Sequence, residues 1–173
     1  MKELIPSNKP NLRVLVDDED FDFLNEVTWT AILDSKTKRH WYFTASNREP
    51  DGRQKHYRMH RLLVPAMANE LVDHINGNTL DNRKQNLRIC NRTENSRNGQ
   101  KRCNFTETGS KYKGVRFDKN TRGKKKWSVK ISFNHKEIWL GRYLTEEKAA
   151  MVYNAAAKLF YGDFARPNTI EGV

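Results

Sequence analysis

Residues 71–100 read LVDHINGNTLDNRKQNLRICNRTENSRNGQ, and the order of residue types in that stretch decides the fold. Asp73 and His74 stand side by side at the end of a short apolar strand. Asn76, Gly77 and Asn78 then turn the chain, because Asn and Gly accept the positive φ that a tight turn requires. Asn86, Leu87, Arg88, Ile89 and Cys90 alternate with period two, as a second strand does. Asn91, with Glu94 three residues on, has the form of a capping box. It opens a helix whose first turns contain Asn95. The pattern is strand, loop, strand, helix, with Asp, His and Asn side chains able to converge on one point.

Those side chains suit metal-assisted phosphodiester hydrolysis. Mg²⁺ (or Mn²⁺) takes oxygen ligands, usually one or two from the protein, with water and substrate phosphate completing its octahedron. Asp73 and Asn95 supply two such oxygens for one ion per site. His74, with an unperturbed pKa near ~6.5, suits the general base that takes a proton from the attacking water. Asn86 is placed to orient that imidazole by a hydrogen bond.

Upstream and downstream of this stretch the chain divides by charge. It has 173 residues, with 32 Lys and Arg against 21 Asp and Glu, a net charge of +11. Residues 1–50 carry −2, residues 51–96 carry +3, residues 97–143 carry +11 and residues 144–173 carry −1. The basic excess therefore sits in one block interleaved with aromatic and β-branched residues, which is the footprint of a polyanion-binding surface. Double-stranded DNA is the expected partner, bound by a monomer ahead of a homodimer. No apolar run reaches membrane length and no cationic-then-apolar start is present, so a cytoplasmic protein is expected. Two cysteines, Cys90 and Cys103, form no Cys-x-x-Cys pair, which argues against a cysteine zinc site. Cys90 reads as a small packed residue.

Residues 11–45 read as a β-rich unit: a strand over 11–16, an acid-started helix from Asp17 to about Leu24, then a hairpin of 28–33 with 40–44. Trp29, Trp41 and Phe43 are expected in its core. Residues 46–56 read as a polar loop, residues 57–59 as a strand, and residues 60–66 as a helix that Pro65 complicates. His60 reads as packed, and Arg61 as a bidentate grip on the phosphate at the cut. Residues 97–110 read as a basic linker. Beyond it, three short alternating strands (112–116, 127–131, 138–143) precede a helix capped by Thr145 and stopped by Gly162. Its expected apolar stripe is Ala149, Val152, Tyr153, Ala156, Leu159 and Phe160.

The set Asp73, His74, Asn86 and Asn95, with Met59 to Leu63, Asn76 to Asn78 and Asn82, resembles the HNH endonucleases of ββα-metal fold. It is most similar to the phage homing endonucleases in which the last His is replaced by Asn. That resemblance implies His74 as general base, Asp73 and Asn95 as holders of one divalent metal, Asn86 as orienter, and a 5′-phosphate at the break. A second resemblance covers about residues 110–168. YKGVR, then W-x-V-x-I, then WLGRY, then TEEKAAMVYNAAAKLFYGDFARPN is similar to the AP-two/ERF DNA-binding domain of plants. It implies a sheet in the major groove with Lys113, Arg116, Trp127, Lys130 and Trp139 as contacts, and Arg142 beside them; the alternative for one of the two tryptophans is packing against the helix. Lys130, Ser132, Glu137 and Arg142 depart from that family's pattern, so its target sequence does not transfer.

The expected fold class is α+β. A β-rich N-terminal extension (1–50) serves a nuclease core (51–100), a basic linker (101–110) follows, and a three-stranded antiparallel sheet packed on one helix closes the chain (111–168). The expected function is a site-directed DNA endonuclease of homing type that nicks one strand. The alternative is a sequence-specific DNA-binding regulator with a silent HNH-like domain. A piece ending at Gln100 is expected to keep slow, unselective nicking.

Overall fold

The computed structural model describes residues 1–35, 38–99 and 109–170, so most of the expected linker lies outside the described residues. The chain forms two compact units, Met1–Arg92 and Thr93–Val173. Both mix small antiparallel sheets with helices.

In the first unit, β1 (Lys2–Leu4) pairs antiparallel with β2 (Val14–Val16), and α1 (Asp18–Asn25) follows with three acids in its first turn. Acidic side chains there complement the helix dipole. β3 (Thr30–Leu33), β4 (Trp41–Arg48) and β5 (Gln54–Arg58) make an antiparallel meander. The core gathers Leu4, Val14, Val16, Leu24, Trp29, Ala31, Phe43 and Met59, with Trp41 packed at its margin. The buried indole of Trp29 donates to Leu24 O at 2.8 Å, so these aromatic residues form core as expected.

Two local expectations fail. Residues 46–56 are not a loop: β4 runs to Arg48 and β5 starts at Gln54, joined by a tight turn with Gly52 at φ +82°. Their side chains are polar because this end of the hairpin is solvated. Its pairing rests on the backbone ladder, with Ser46 against His56 at 2.8 Å and Tyr57 OH donating to Glu49 at 3.1 Å. The strand expected from residue 11 begins only at Val14, because Leu12 N–H turns back to Lys9 O. The short α2 (Met59–Leu63) stops two residues before Pro65, as the constraint on the residue preceding a proline requires. β6 (Leu71–His74) and β7 (Leu87–Cys90) then form the hairpin expected in residues 71–90, with Cys90 buried.

The second unit begins within α3 (Arg92–Asn98), at its second residue. β8 (Val115–Phe117), β9 (Trp127–Phe133) and β10 (Lys136–Tyr143) form an antiparallel sheet in the order β10-β9-β8. One face packs on α4 (Glu146–Tyr161), whose N-terminus is capped by Thr145 Oγ1 accepting from Lys148 N–H at 3.2 Å. Gly162, at φ +55°, ends it. The buried stripe keeps part of the expected set: Ala149 and Tyr153 are buried, and Ala156 and Phe160 pack against the core. Ala150, Ala157 and Tyr161 join them, while Leu159 is 80% exposed. Small alanines let the helix approach the sheet closely, and the two tyrosines supply the volume.

Candidate active site

The hairpin register puts Asp73 opposite Arg88 and His74 opposite Leu87. Asp73 and His74 are 8% and 5% exposed, so a carboxylate and an imidazole are both withdrawn from water at one strand end. Arg88 donates to Asp73 Oδ2 from Nη2 at 2.9 Å and from Nε at 3.2 Å. A buried carboxylate needs such a partner.

Asparagines shape the loop from Ile75 to Asn86. Asn76 Oδ1 accepts from Asn78 N–H at 2.8 Å, and Asn78 Oδ1 from Leu80 N–H at 3.1 Å, two successive Asx turns. Gly77, at φ +67°, donates its N–H to His74 O. The loop is anchored outside the hairpin as well. Leu15 N–H donates to Leu80 O, and Asn82 N–H to Leu15 O, both at 2.8 Å. Lys84 N–H donates to Asp17 Oδ2 at 2.7 Å, and its ammonium reaches Glu19 at 2.6 Å and Asp20 at 2.9 Å. Glu19 and Asp20 hold the Lys84 pKa above its ordinary value. Asp81 is gripped by Arg83 through two bonds of 2.8 Å, which lowers its pKa.

The hydrogen bond expected from Asn86 to the imidazole is made by Asn82 instead. His74 Nε2 lies 3.2 Å from Asn82 Oδ1, and Asn82 Nδ2 donates to Thr79 O at 3.1 Å. A carboxamide oxygen only accepts, so Nε2 carries the proton and Nδ1 holds the basic lone pair. Asn86 closes the loop: its Oδ1 accepts from Asn76 N–H at 3.0 Å and its Nδ2 donates to Asp81 O at 2.7 Å. Burial pushes the His74 pKa down, partly opposed by the Asn82 bond and the charges of Asp73 and Asp81. His60 lies edge-on to His74 at 5.3 Å, and burial drives its pKa to about 3.

Arg61 is not poised over this site. Its guanidinium donates to Glu70 O at 3.0 Å, Met67 O at 3.3 Å and Ala66 O at 3.4 Å. It clamps the segment leading into β6. Arg88 and Asn82 lie within the stretch that carries the family resemblance, but neither was given a role from sequence. Arg88 had one available signal: the hairpin register sets it directly across from Asp73.

Asn95 lies exposed on α3, which belongs to the second unit. In that unit the sheet face away from α4 carries Arg116, Lys130, Trp139 and Arg142, four of the six residues expected to touch DNA. Trp139 is 49% exposed, with the Arg142 guanidinium 5.2 Å from its ring centroid. Lys130 pairs with Glu137, and Arg142 with Asp118. The other two residues turn away. Trp127 packs edge-on to Phe117 and against the α4-side core. Lys113 Nζ donates to Arg97 O and Gly99 O.

A family model described as HNH endonuclease matches residues 57–97, the span that holds α2, the hairpin and most of α3. The chain is also 30% identical over 158 residues to an uncharacterized HNH endonuclease of Acanthamoeba polyphaga mimivirus. That alignment covers 87% of this chain and 76% of the viral protein. The chain belongs to the HNH endonuclease family. Its HNH region therefore spans Asp73, His74, Asn82, Asn86 and Asn95, and similarity to the viral HNH endonuclease extends well beyond that region. No solved structure matches the chain. No described helix is long and apolar enough to cross a membrane.

Proposed function

We propose that this HNH endonuclease cuts DNA at selected sites, in the manner of a homing enzyme, and nicks one strand per encounter. The observation that carries the reading is the His74 imidazole. It is buried beside Asp73 and held through Nε2 by Asn82, so its Nδ1 is the base that accepts a proton from water attacking the phosphodiester. A depressed pKa keeps that base neutral at physiological pH. Asn86 acts on the reaction through the loop it closes, and Arg61 through the segment it clamps.

The donor set fits a hard divalent ion. A carboxylate from Asp73 and a carboxamide oxygen from Asn95 are ligands that Mg²⁺ or Mn²⁺ accepts, and Arg88 limits Asp73 to sharing its charge. These two residues would hold one ion, which supplies charge stabilisation to the leaving oxygen. The open sheet face of the second unit, with Arg116, Lys130, Trp139 and Arg142, reads base edges in the major groove. Trp139 adds an apolar surface there.

The test is incubation with supercoiled plasmid carrying candidate sites, with and without Mg²⁺. Nicked circles from the wild type and none from His74→Ala are expected. Tight binding with no cleavage under Mg²⁺ or Mn²⁺ would leave a DNA-binding regulator as the better description.

A further inference from the structure

The helix carrying Asn95 is secured by the sheet unit. α3 has seven residues, too few to hold itself in water, so its direction depends on what its end is tied to. Lys113 Nζ donates to Arg97 O at 2.7 Å and Gly99 O at 2.8 Å. Those are carbonyls at the C-terminal end of α3, where unpaired acceptors and the negative end of the dipole favour a cation. Burial, and then the charge of Arg166, lower the Lys113 pKa, as expected for an ammonium used inward. Arg97, in the last turn of α3, lays its guanidinium over Tyr161 of α4 at 5.0 Å and Phe133 of β9 at 5.6 Å.

Lys113 is itself fixed. Its N–H donates to Asn168 Oδ1 at 2.6 Å, and Asn168 Nδ2 donates back to Lys113 O at 3.1 Å. Asn168 is joined to Asn154 of α4 by two further bonds of 2.7 and 2.9 Å. The next residue, Gly114, stands at φ +75°, and its O accepts from Lys130 N–H of β9 at 3.0 Å. The end of α3, the start of the sheet and α4 are thus one bonded network.

We propose that Lys113 and Arg97 are positioning residues for the nuclease reaction, fixing α3, and through it the Asn95 carboxamide, from the sheet unit. This rests on Asn95 being a metal ligand. It reverses the expectation that a piece ending at Gln100 keeps nicking, since that piece lacks Lys113, Phe133 and Tyr161.

The test uses the full chain with Lys113→Met, Lys113→Arg, Arg97→Ala and Asn95→Ala. Three quantities are read: the Mn²⁺ concentration giving half-maximal nicking, amide hydrogen exchange in α3, and DNA affinity in EDTA. Lys113→Met and Arg97→Ala should raise the Mn²⁺ requirement by ~10- to 100-fold, the cost of losing a group that orients a ligand. Exchange in α3 should quicken, affinity in EDTA should hold, and Lys113→Arg should recover most of the loss. Wild-type Mn²⁺ dependence and α3 protection in both variants would overturn the proposal. If Lys113→Met does not fold, Arg97→Ala, which removes only a stacked side chain, decides it alone. Asn95→Ala separates the two claims. Normal nicking by it defeats the metal-ligand reading, whereas its inactivity beside normal Lys113→Met and Arg97→Ala defeats only the coupling.

Discussion

Acidification should weaken the first unit through His60. This side chain is buried beside the Tyr42 ring at 5.8 Å and edge-on to His74 at 5.3 Å. Burial first, then the charges of His74, Arg58 and Arg61, lower its pKa from 6.5 to about 3. In the unfolded chain it titrates near ~6.5. Above that pH it is neutral in both states and has no effect. Below it the unfolded chain binds a proton that the folded chain refuses, so stability falls continuously from pH 6.5 towards the folded value. Between pH 7 and pH 5 the loss from His60 alone is about 2 kcal/mol, and the downward shift of His74 adds to it. Urea denaturation at both pH values, on wild type and His60→Leu, isolates the effect because other titrating groups are common to the pair. The wild type should lose about 2 kcal/mol more than His60→Leu over this interval. Equal losses would show that His60 takes up its proton in the folded state, and the reasoning from burial would be wrong.

His74→Ala should lower the nicking rate by ~10² to 10⁴ with little change in affinity for uncut DNA, measured by single-turnover kinetics and filter binding. EDTA should abolish cleavage and leave a gel-shifted complex intact, whereas cleavage persisting in excess chelator would contradict the metal requirement. Arg116→Ala or Lys130→Ala should each relax discrimination at one base position by ~1–3 kcal/mol, read from binding to randomised sites. Gly114→Ala should destabilise the second unit by ~2 kcal/mol or more in thermal melts. The residue stands at φ +75°, and a Cβ there would overlap the Tyr153 ring and crowd Lys130 O.

The hairpin and its helix were legible because their turn chemistry is local: Asn76 and Gly77 can do little but turn, and Leu87 to Cys90 alternate. The second sheet and α4 were legible for the same reason, through alternation, the Thr145 cap and Gly162. Only the end of β5, Tyr57 and Arg58, was legible, because the solvated start of Gln54–Arg58 has no apolar period to read. The orienting role expected of Asn86 falls to Asn82 because both are loop asparagines of equal chemistry. Which one faces the imidazole depends on the loop being pinned to Leu15, a contact far away in sequence. Arg61 and Lys113 misled for one shared reason. A cation's sequence carries no mark of its acceptor: Arg61 was read as a phosphate grip and Lys113 followed from the second resemblance, yet both spend their donors on backbone carbonyls.

The pinning of the active-site loop bears on how such a domain travels between genes. The stretch that the family model matches, 57–97, ends well short of what holds its own loop in place. Leu15 supplies the backbone partners, and Asp17, Glu19 and Asp20 seize Lys84, from some 65 positions away in sequence. A cassette cut at the borders of sequence similarity would arrive in a new host protein with its catalytic loop unmoored. The heritable module must therefore include β2 and α1, and recombination points that preserve function should fall ahead of Val14 rather than beside the motif.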